Sequence, residues 1–474
     1  MKKFMLFFSV ILSVLQIISL AGFSQTLIER KIYSANVNKT VDVKVWLPRN
    51  FSVSNKYPVI YEMVYDHSSF IAGTVASFYE IPPCIVVQAQ IVVGQSYYSS
   101  PQLKDDDFKY YQFLKNELIP LVEKEYSASK FRIALGLSQG ADYSNYIFRN
   151  NPELFSAFGI FATERQINYK LDYTDFAKKI TDSMNYFIAT GNDMAERVDF
   201  AKTLYKQISQ NNIIRLKMYH YERSDHSYVM LDALPDALRF IFQDYINLRK
   251  PNNENAYQYF KNLYTELINK YGYEPNINGF TANYLNIITE TKEVTGILQL
   301  VKEFYVKFGA IDLYNIGYTL ANITKYKDAE NVLKLCIQKL FTGRPNINLD
   351  APYRTLALRV YDAQGNTDLA YKTLEEGHEK IKATNINLLY NIGKYAIEKK
   401  YKVQDGIEAL ILFKDNQAKF ESSFIKPADE LNTLIAKGYL LLKKNKESRI
   451  YLEEALKENS KNDEAVQLLK SLDE

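Results

Sequence analysis

The chain has 474 residues, enough for two or three domains of ordinary size. Hydrophobic residues make up 47% of it and charged residues 24%, which is typical of folded globular domains and excludes wholesale disorder. With 58 basic and 55 acidic side chains the formal net charge is only +3, so we expect no nucleic-acid partner.

Residues 1–24 have the three parts of a secretory signal peptide. Lys2 and Lys3 precede an apolar run at 4–20, and the small residues Gly22 and Ser24 stand where a signal peptidase inspects the chain. The alternative is an uncleaved anchor, because the run approaches the ~20 residues that span a bilayer. We predict cleavage after Ser24, export to the periplasm or the extracellular space, and no integral membrane segment afterwards.

From 25 to 248 strand-like segments alternate with helical ones. The predicted strands cover 41–47, 57–64, 81–93, 131–135, 157–162, 186–189 and 213–219, and the predicted helices cover 108–125, a segment from Ala141, and 234–245. This alternation predicts an α/β domain with a mostly parallel sheet covered by helices on both faces.

Residues 136–140 carry the G-x-S-x-G motif, between an apolar strand and a helix. In that context the motif forms a nucleophile elbow, whose tight turn leaves no room for a Cβ on Gly136 or Gly140 and strains Ser138. The N–H of Gln139, at the helix N-terminus, would point towards a developing oxyanion. The alternative is a tight turn with an incidental serine.

The fold requires an acid and then a histidine after the nucleophile. His226 follows the last predicted strand, whereas His220 continues that strand and is the weaker choice of base. Asp193 follows the strand at 186–189, with Glu196 as the weaker alternative for the acid. We predict that His226 takes the Ser138 proton and that Asp193 orients the ring.

A break at Pro251 separates this half from the next, and 249–277 are predicted to be a linker and a leading helix. Beyond it, Tyr314-Asn-Ile-Gly317 recurs as Tyr390-Asn-Ile-Gly393 after about two helical-hairpin periods. Three helices also carry small, large and small residues at offsets of four and seven: Ala329, Leu333 and Cys336; Ala370, Leu374 and Gly377; Ser448, Leu452 and Ala455. The pattern resembles the tetratricopeptide (TPR) repeat and predicts an all-α TPR-like domain over 278–474; the alternative is a generic helical bundle.

From Ile28 to Tyr245 the chain resembles the putative-esterase family of α/β-hydrolases, which includes siderophore esterases, feruloyl and acetyl-xylan esterases and S-formylglutathione hydrolases. The resemblance is carried by Val45-Trp-Leu-Pro48, Lys56-Tyr-Pro-Val-Ile-Tyr61, the residues 136–140, Asn151-Pro-Glu-Leu-Phe155, Gly191-Asn-Asp193 and Asp225-His226. It implies an α/β-hydrolase fold and a triad at Ser138, Asp193 and His226.

Three loops depart from the family pattern. Tyr65-Asp66-His67 replaces an aspartate–glycine pair, so the second oxyanion-hole N–H is expected from Tyr65 or Asp66. His67, Tyr97 and Thr163 lie in the altered loops and are predicted to contact substrate. The changes argue against highly anionic substrates.

The sequence therefore predicts an exported serine hydrolase that cleaves a small-molecule or glycan-linked carboxylic ester through an acyl-enzyme. Its repeats would bind a protein partner, mediate self-association or cover the active site. One alternative is a secreted scaffold with a vestigial hydrolase domain, and another is an acyltransferase with the same triad. We expect no cofactor and no metal, because the four histidines and Cys84 and Cys336 form no cluster with metal-ligand spacing.

Overall fold

The computed structural model describes residues 25–90, 105–163, 180, 182–248, 254–275, 277–341, 347–420 and 424–473. The predicted signal peptide lies outside these residues. The chain divides into two compact units, Met1–Lys250 with Lys261–Asn276, and Pro251–Phe260 with Ile277–Glu474. In the described part of the chain, no helix has both the length and the apolar character needed to cross a membrane.

An eight-stranded sheet forms the centre of the first unit. Its strands are β1 (Thr26–Ser34), β2 (Lys39–Leu47), β3 (Tyr57–Met63), β4 (Ile85–Ala89), β5 (Ala128–Leu137), β6 (Ala157–Phe161), β7 (Met184–Gly191) and β8 (Ile214–Tyr221). They lie in the order β1-β2-β4-β3-β5-β6-β7-β8. β2 is antiparallel to β1 and to β4, and the other neighbouring pairs are parallel. This confirms the predicted mostly parallel sheet.

Neighbouring residues of a strand point to opposite faces of the sheet, so the apolar strands supply an apolar core on each face. Helices cover both cores. On β3, Val59 and Tyr61 enter one apolar core, whereas Ile60 enters the other. The first core is closed by α2 (Asp105–Phe113), which continues through the π-helical stretch Leu114–Leu118 into α3 (Ile119–Glu125), and by α4 (Gln139–Asn150) and α5 (Ala195–Ile208). The second is closed by α1 (Ser68–Ser77) and α6 (Val229–Ile241), which is followed by the short α7 (Gln243–Ile246).

Three elements were not predicted, namely β1, α1 and α5. The predicted strand at 81–93 was also too long, since β4 begins only at Ile85. Pro82 and Pro83 have no N–H to donate to a neighbouring strand, which explains why pairing starts after them. Residues 91–93 lie outside the described residues.

The segment Lys261–Asn276 belongs to the first unit although it follows residues of the second. It contains most of α8 (Ala256–Tyr271). The Tyr271 ring lies 4.6 Å from the Phe131 ring and 5.5 Å from the Phe242 ring, between centroids. Lys270 Nζ donates to Asp244 Oδ2 at 2.5 Å. Part of the segment predicted as linker and leading helix thus completes an apolar core.

The second unit contains helices and no strand among its described residues. Its further helices are α9 (Ile277–Thr291), α10 (Thr295–Phe304), α11 (Ala310–Asn322), α12 (Tyr326–Lys339), α13 (Asp350–Thr355), α14 (Thr367–Ile381), α15 (Asn387–Lys399), α16 (Val403–Asn416), α17 (Ala428–Leu441), α18 (Asn445–Glu458) and α19 (Asp463–Asp473). The glycines of the repeated Tyr-Asn-Ile-Gly segment face leucines of the next helix, Gly317 against Leu333 and Gly393 against Leu410. The assignment to TPR repeats stays a prediction.

Candidate active site

Ser138 stands between β5 and α4 with φ 55° and ψ −120°, a backbone conformation that L-amino acids rarely adopt. A Cβ on Gly136 would overlap the carbonyl group of Gly140, and a Cβ on Gly140 would overlap the Met63 carbonyl oxygen. The Ser138 N–H donates to the Phe161 carbonyl oxygen at 2.9 Å. The motif therefore forms the tight turn that its glycines predict.

The strands on either side of β5 end in similar strain. Val64 follows β3 with φ 76°, and Ala162 follows β6 with φ 45°. A positive φ is a marked outlier for a β-branched residue such as valine. Because strained residues cluster where a fold supports function, these neighbouring strand ends mark one edge of the sheet as the functional edge.

The three residues of the predicted triad meet at this edge. His226 Nε2 lies 2.9 Å from Ser138 Oγ, and His226 Nδ1 is hydrogen-bonded to Asp193 Oδ2. The second carboxylate oxygen, Asp193 Oδ1, accepts hydrogen bonds from the Met194 N–H at 2.7 Å and from Arg197 Nη1 at 3.0 Å. An uninterrupted hydrogen-bond chain thus runs from the serine hydroxyl through the imidazole to a carboxylate.

The Asp193 carboxylate is kept ionised by its partners. Burial of the side chain, which is only 6% exposed, tends to raise its pKa. The hydrogen bonds from His226, Met194 and Arg197 act in the opposite direction, and together they hold the pKa of Asp193 below its usual value. A carboxylate that stays ionised near neutral pH can stabilise the imidazole when the ring takes up a proton.

His220, the alternative base, and Asp225, the carboxylate next to His226 in the sequence, both have other partners. His220 Nδ1 lies 2.9 Å from Thr190 Oγ1. Asp225 does not turn back to its neighbouring ring, because its Oδ1 accepts from the N–H groups of Ser227 and Tyr228 at 2.9 and 3.0 Å. Asp225 thereby holds the turn that precedes α6.

The loop after β3 comprises residues 64–67 and lies beside the serine turn. Met63, which precedes the loop, is so close to Gly140 that a Cβ on Gly140 would overlap the Met63 carbonyl oxygen. The N–H of Tyr65 donates to the Met63 carbonyl oxygen at 3.0 Å and is committed to its own strand. The N–H of Asp66 has no acceptor among the residues that the structure describes. The Asp66 carboxylate accepts from Lys44 Nζ at 2.5 Å, so the loop is anchored to β2.

Sequence reasoning missed Glu62, a carboxylate one residue before the end of buried β3. Its Oε1 accepts from the His67 N–H at 2.6 Å and lies 2.8 Å from His67 Nδ1. Burial raises the pKa of Glu62, and the hydrogen bond to Glu62 raises the pKa of His67. Glu62 therefore ties the loop to its strand. The His67 ring is 30% exposed, and its contact with substrate stays a prediction.

Thr163 lies inside a polar network. Its hydroxyl donates to Asp142 Oδ1 at 2.5 Å and accepts from Asn145 Nδ2 at 3.2 Å, and the residue is 1% exposed. The predicted contact with substrate would require this network to open. Tyr97, the other predicted substrate contact, lies outside the described residues.

A cavity of about 860 Å³ lies next to the loop at 64–67. Its lining is rich in charged and amide side chains and comes from β1, β2, the end of β4 and the loop: Glu29, Arg30, Lys31, Asp42, Val43, Lys44, Val64, Tyr65, Asp66, Gln88 and Gln90. The triad side chains are not part of that lining. Among the described residues, no three His, Cys, Asp or Glu side chains are grouped so as to hold a metal ion.

The strand order, the serine turn and the hydrogen-bond chain define the fold of the first unit as that of an α/β-hydrolase. Residues 34–167, somewhat over a quarter of the chain, match the protein-family model described as "Putative esterase". No curated protein gave a significant match to the sequence.

Three solved structures illustrate what the chain is similar to. An uncharacterised protein from Capnocytophaga ochracea has 14% identity and a TM-score of 0.46, over 74% of this chain and 94% of that one. An IroE-like serine hydrolase from Shewanella oneidensis has 16% identity and a TM-score of 0.45, over 56% and 95%. A ferulic acid esterase from Anaeromyces mucronatus has 18% identity and a TM-score of 0.39, over 46% and 91%.

Proposed function

We propose that this protein is a serine hydrolase that cleaves carboxylic esters. The observation that carries the proposal is the hydrogen-bond chain from Ser138 Oγ through His226 to Asp193. An unactivated serine hydroxyl is a poor nucleophile near neutral pH. A serine hydroxyl that is hydrogen-bonded to a neutral imidazole can pass its proton to the ring as it attacks. Nothing in this chain of groups requires a cofactor.

In the proposed reaction Ser138 Oγ bonds to the ester carbonyl carbon while its proton moves to His226 Nε2. The carbonyl oxygen becomes an oxyanion, which the N–H groups of Gln139 and Asp66 stabilise. His226 then gives the proton to the departing alkoxide, which leaves as the alcohol. Water repeats the steps on the acyl-enzyme, releasing the carboxylic acid and restoring Ser138. Asp193 stabilises the imidazolium throughout without taking its proton.

Asp66 is our choice for the second oxyanion donor because the Tyr65 N–H is committed to Met63. The contacts of the Asp66 side chain with Lys44 and Ser68 hold the backbone of the loop in place. Backbone donors of this kind are effective because they are already oriented before charge develops.

Covalent labelling with a fluorophosphonate tests the proposal directly. The full-length protein should be labelled, and Ser138→Ala should abolish the label while leaving thermal unfolding nearly unchanged. A panel of short-chain, aromatic and sugar esters should then show turnover that is lost in the same variant. A correctly folded protein that is neither labelled nor active on the panel would favour the scaffold role instead.

We also propose that the chain is exported after cleavage following Ser24. The basic start, apolar run and small-residue exit of residues 1–24 support this proposal. N-terminal sequencing of the protein from its native host tests it, and an intact Met1 in a soluble cytoplasmic fraction would refute it.

A further inference from the structure

The environment of the Asp193–His226 pair contains a guanidinium group that the triad scheme does not use. Arg197 lies in the first turn of α5, four residues after Asp193. Its Nη1 donates to Asp193 Oδ1 at 3.0 Å and lies 3.0 Å from His226 Nδ1. Only 22% of the arginine side chain is exposed, so solvent screens its charge weakly.

The position of Arg197 bears on which ring nitrogen of His226 carries the proton. With the proton on Nδ1, the ring donates to Asp193 Oδ2 and Nε2 can accept the Ser138 proton. With Nδ1 bare, Arg197 could donate to it, and Nε2–H would face Ser138 Oγ and could accept nothing. Only the first arrangement is productive, and it requires Asp193 Oδ2 to stay directed at Nδ1.

We infer that Arg197 is a positioning residue of this site, on the assumption that the proposed esterase function is correct. By holding Asp193 Oδ1, Arg197 leaves Oδ2 for the imidazole and fixes the plane of the carboxylate. Its positive charge also opposes a second proton on the ring. The charge therefore extends the activity of the enzyme to lower pH, and the fixed carboxylate favours the productive tautomer.

Apart from Asp193, the other charged groups on the segments that carry the site are exposed, whereas Arg197 is not. They are Glu196, in the first turn of α5, and Glu222, Arg223 and Asp225, on the loop before α6. The turn after β5 contributes the uncharged Ser138. Because salt screens exposed charges strongly, profiles recorded at high salt report mainly on Arg197 and Asp193.

The test is the pH dependence of kcat/KM in full-length Arg197→Gln and Arg197→Lys at high salt. Glutamine keeps a donor for Asp193 but has no charge, so the pH of half-maximal activity on the acidic side should rise by about one unit. The plateau value of kcat should fall by less than about tenfold, with KM little changed. Lysine retains the charge and should leave the acidic side of the profile near that of the wild type.

Arg215→Gln is the matched control, because Arg215 also pairs with an aspartate, Asp244, at 2.6 Å. It lies near the start of β8, whereas the His226 loop follows the end of that strand. Its profile should coincide with that of the wild type. An Arg197→Gln profile that also coincides would overturn the inference, as would a lower plateau without a shift. A wild-type protein without labelling or activity would remove the proposed function and this inference together.

Discussion

At the residue scale the site combines strain with buried charge. Ser138, Val64 and Ala162 all have positive φ at the ends of three adjacent strands. Each such residue costs about 1–3 kcal/mol and persists only where its surroundings determine its conformation. Glu62 adds a buried carboxylate, which accepts a hydrogen bond from the His67 N–H in the loop after β3. The surrounding core must therefore offset several unfavourable local terms at this one edge.

Single substitutions in the triad should affect activity very unequally. His226→Ala should lower kcat by several orders of magnitude, because Ser138 then has no base. Asp193→Ala should cost less, since the acid orients the ring and does not take the proton. Combining Ser138→Ala with His226→Ala should be no worse than either change alone. Steady-state kinetics on one ester of the panel measures all four variants.

His220→Ala is the matched control for the base, because the His220 ring is hydrogen-bonded to Thr190. It should keep most of the activity. If His220→Ala were inactive and His226→Ala active, the assignment of the base would be wrong.

The Glu62–His67 pair gives the stability of the protein a pH dependence. Folding raises the pKa of His67, so its stabilising contribution is present below the unfolded value of about 6.5 and is lost as the pH rises through the folded value. Burial likewise raises the pKa of Glu62, so its contribution is also larger at low pH. His67→Ala should therefore lower the free energy of unfolding by about 1–3 kcal/mol at pH 6 and by less at pH 9. Denaturant unfolding at the two pH values measures the difference.

His378 supplies a control of opposite sign. Burial lowers the pKa of His378, so its neutral form is favoured in the folded protein and stability is lost as the pH falls. The loss of stability in His378→Ala should be smaller at pH 6 than at pH 9. Equal pH trends for the two variants would contradict the roles assigned to both histidines.

Ser138, Asp193 and His226, whose side chains lie together in the structure, could be selected from the sequence because the fold fixes the order of the loops. Ser138 and His226 each follow a recognisable strand, and no contact had to be known in advance. Glu62 and Arg197 could not be found in the same way, since their roles depend on side-chain direction. A single carboxylate in the apolar run of β3, and an arginine four residues after Asp193, were the available signals.

At the element scale the turn after β5 allows little change. A Cβ on Gly136 would overlap the backbone of Gly140. Gly136→Ala should therefore destabilise the first unit by at least about 2 kcal/mol and reduce ester turnover, since the turn must move to make room. Thermal unfolding followed by circular dichroism, together with labelling of Ser138, measures both effects.

Gly73 is the matched glycine control. It lies inside α1, and a Cβ built on it meets no atom within 4 Å. Gly73→Ala should stabilise the protein by about 0.5–1 kcal/mol, because alanine loses less backbone freedom in a helix. A destabilised Gly73→Ala variant would show that the helix is constrained by something other than its own propensity.

Element prediction worked where a segment is strongly apolar and failed where its hydrophobic pattern is weak. Strands β3, β5 and β7 are apolar over most of their length and were recognised. Helix α1 buries only a narrow set of residues and contains Gly73 and Thr74, which weakens its helical signal. Whether such a segment forms a helix depends on its tertiary contacts, which sequence periodicity does not report.

At the scale of the whole molecule the first unit extends to Asn276. A fragment from Gln25 to Asn276 should fold and keep ester turnover, whereas one ending at Arg249 should lose Tyr271 and Leu267 from its core. Burial of each such side chain contributes about 1.5–3 kcal/mol, so the shorter fragment should lose about 3–6 kcal/mol of stability. Differential scanning calorimetry of the two fragments measures the loss.

Tyr259 and Phe260 belong to the second unit, where the Phe260 ring lies 5.0 Å from the Phe280 ring. Both side chains would be exposed in the fragment that ends at Asn276. Replacing both by Gln in that fragment avoids an exposed apolar surface. If the fragments ending at Arg249 and Asn276 melted at the same temperature, the segment Lys261–Asn276 would be dispensable.

The same arrangement has a consequence for synthesis. When the chain is expressed without residues 1–24, it folds in the cytoplasm as it is made. A ribosome adds about 5–20 residues per second, so Tyr271 then emerges about 1–5 s after Tyr245. During that interval the nascent hydrolase has its sheet and α6 but not the ring that packs against Phe131 and Phe242. An incompletely covered aromatic surface on a chain still being made is a natural site for a chaperone to bind. Slowing translation between these two tyrosine codons should therefore increase the yield of aggregated protein unless a chaperone is present.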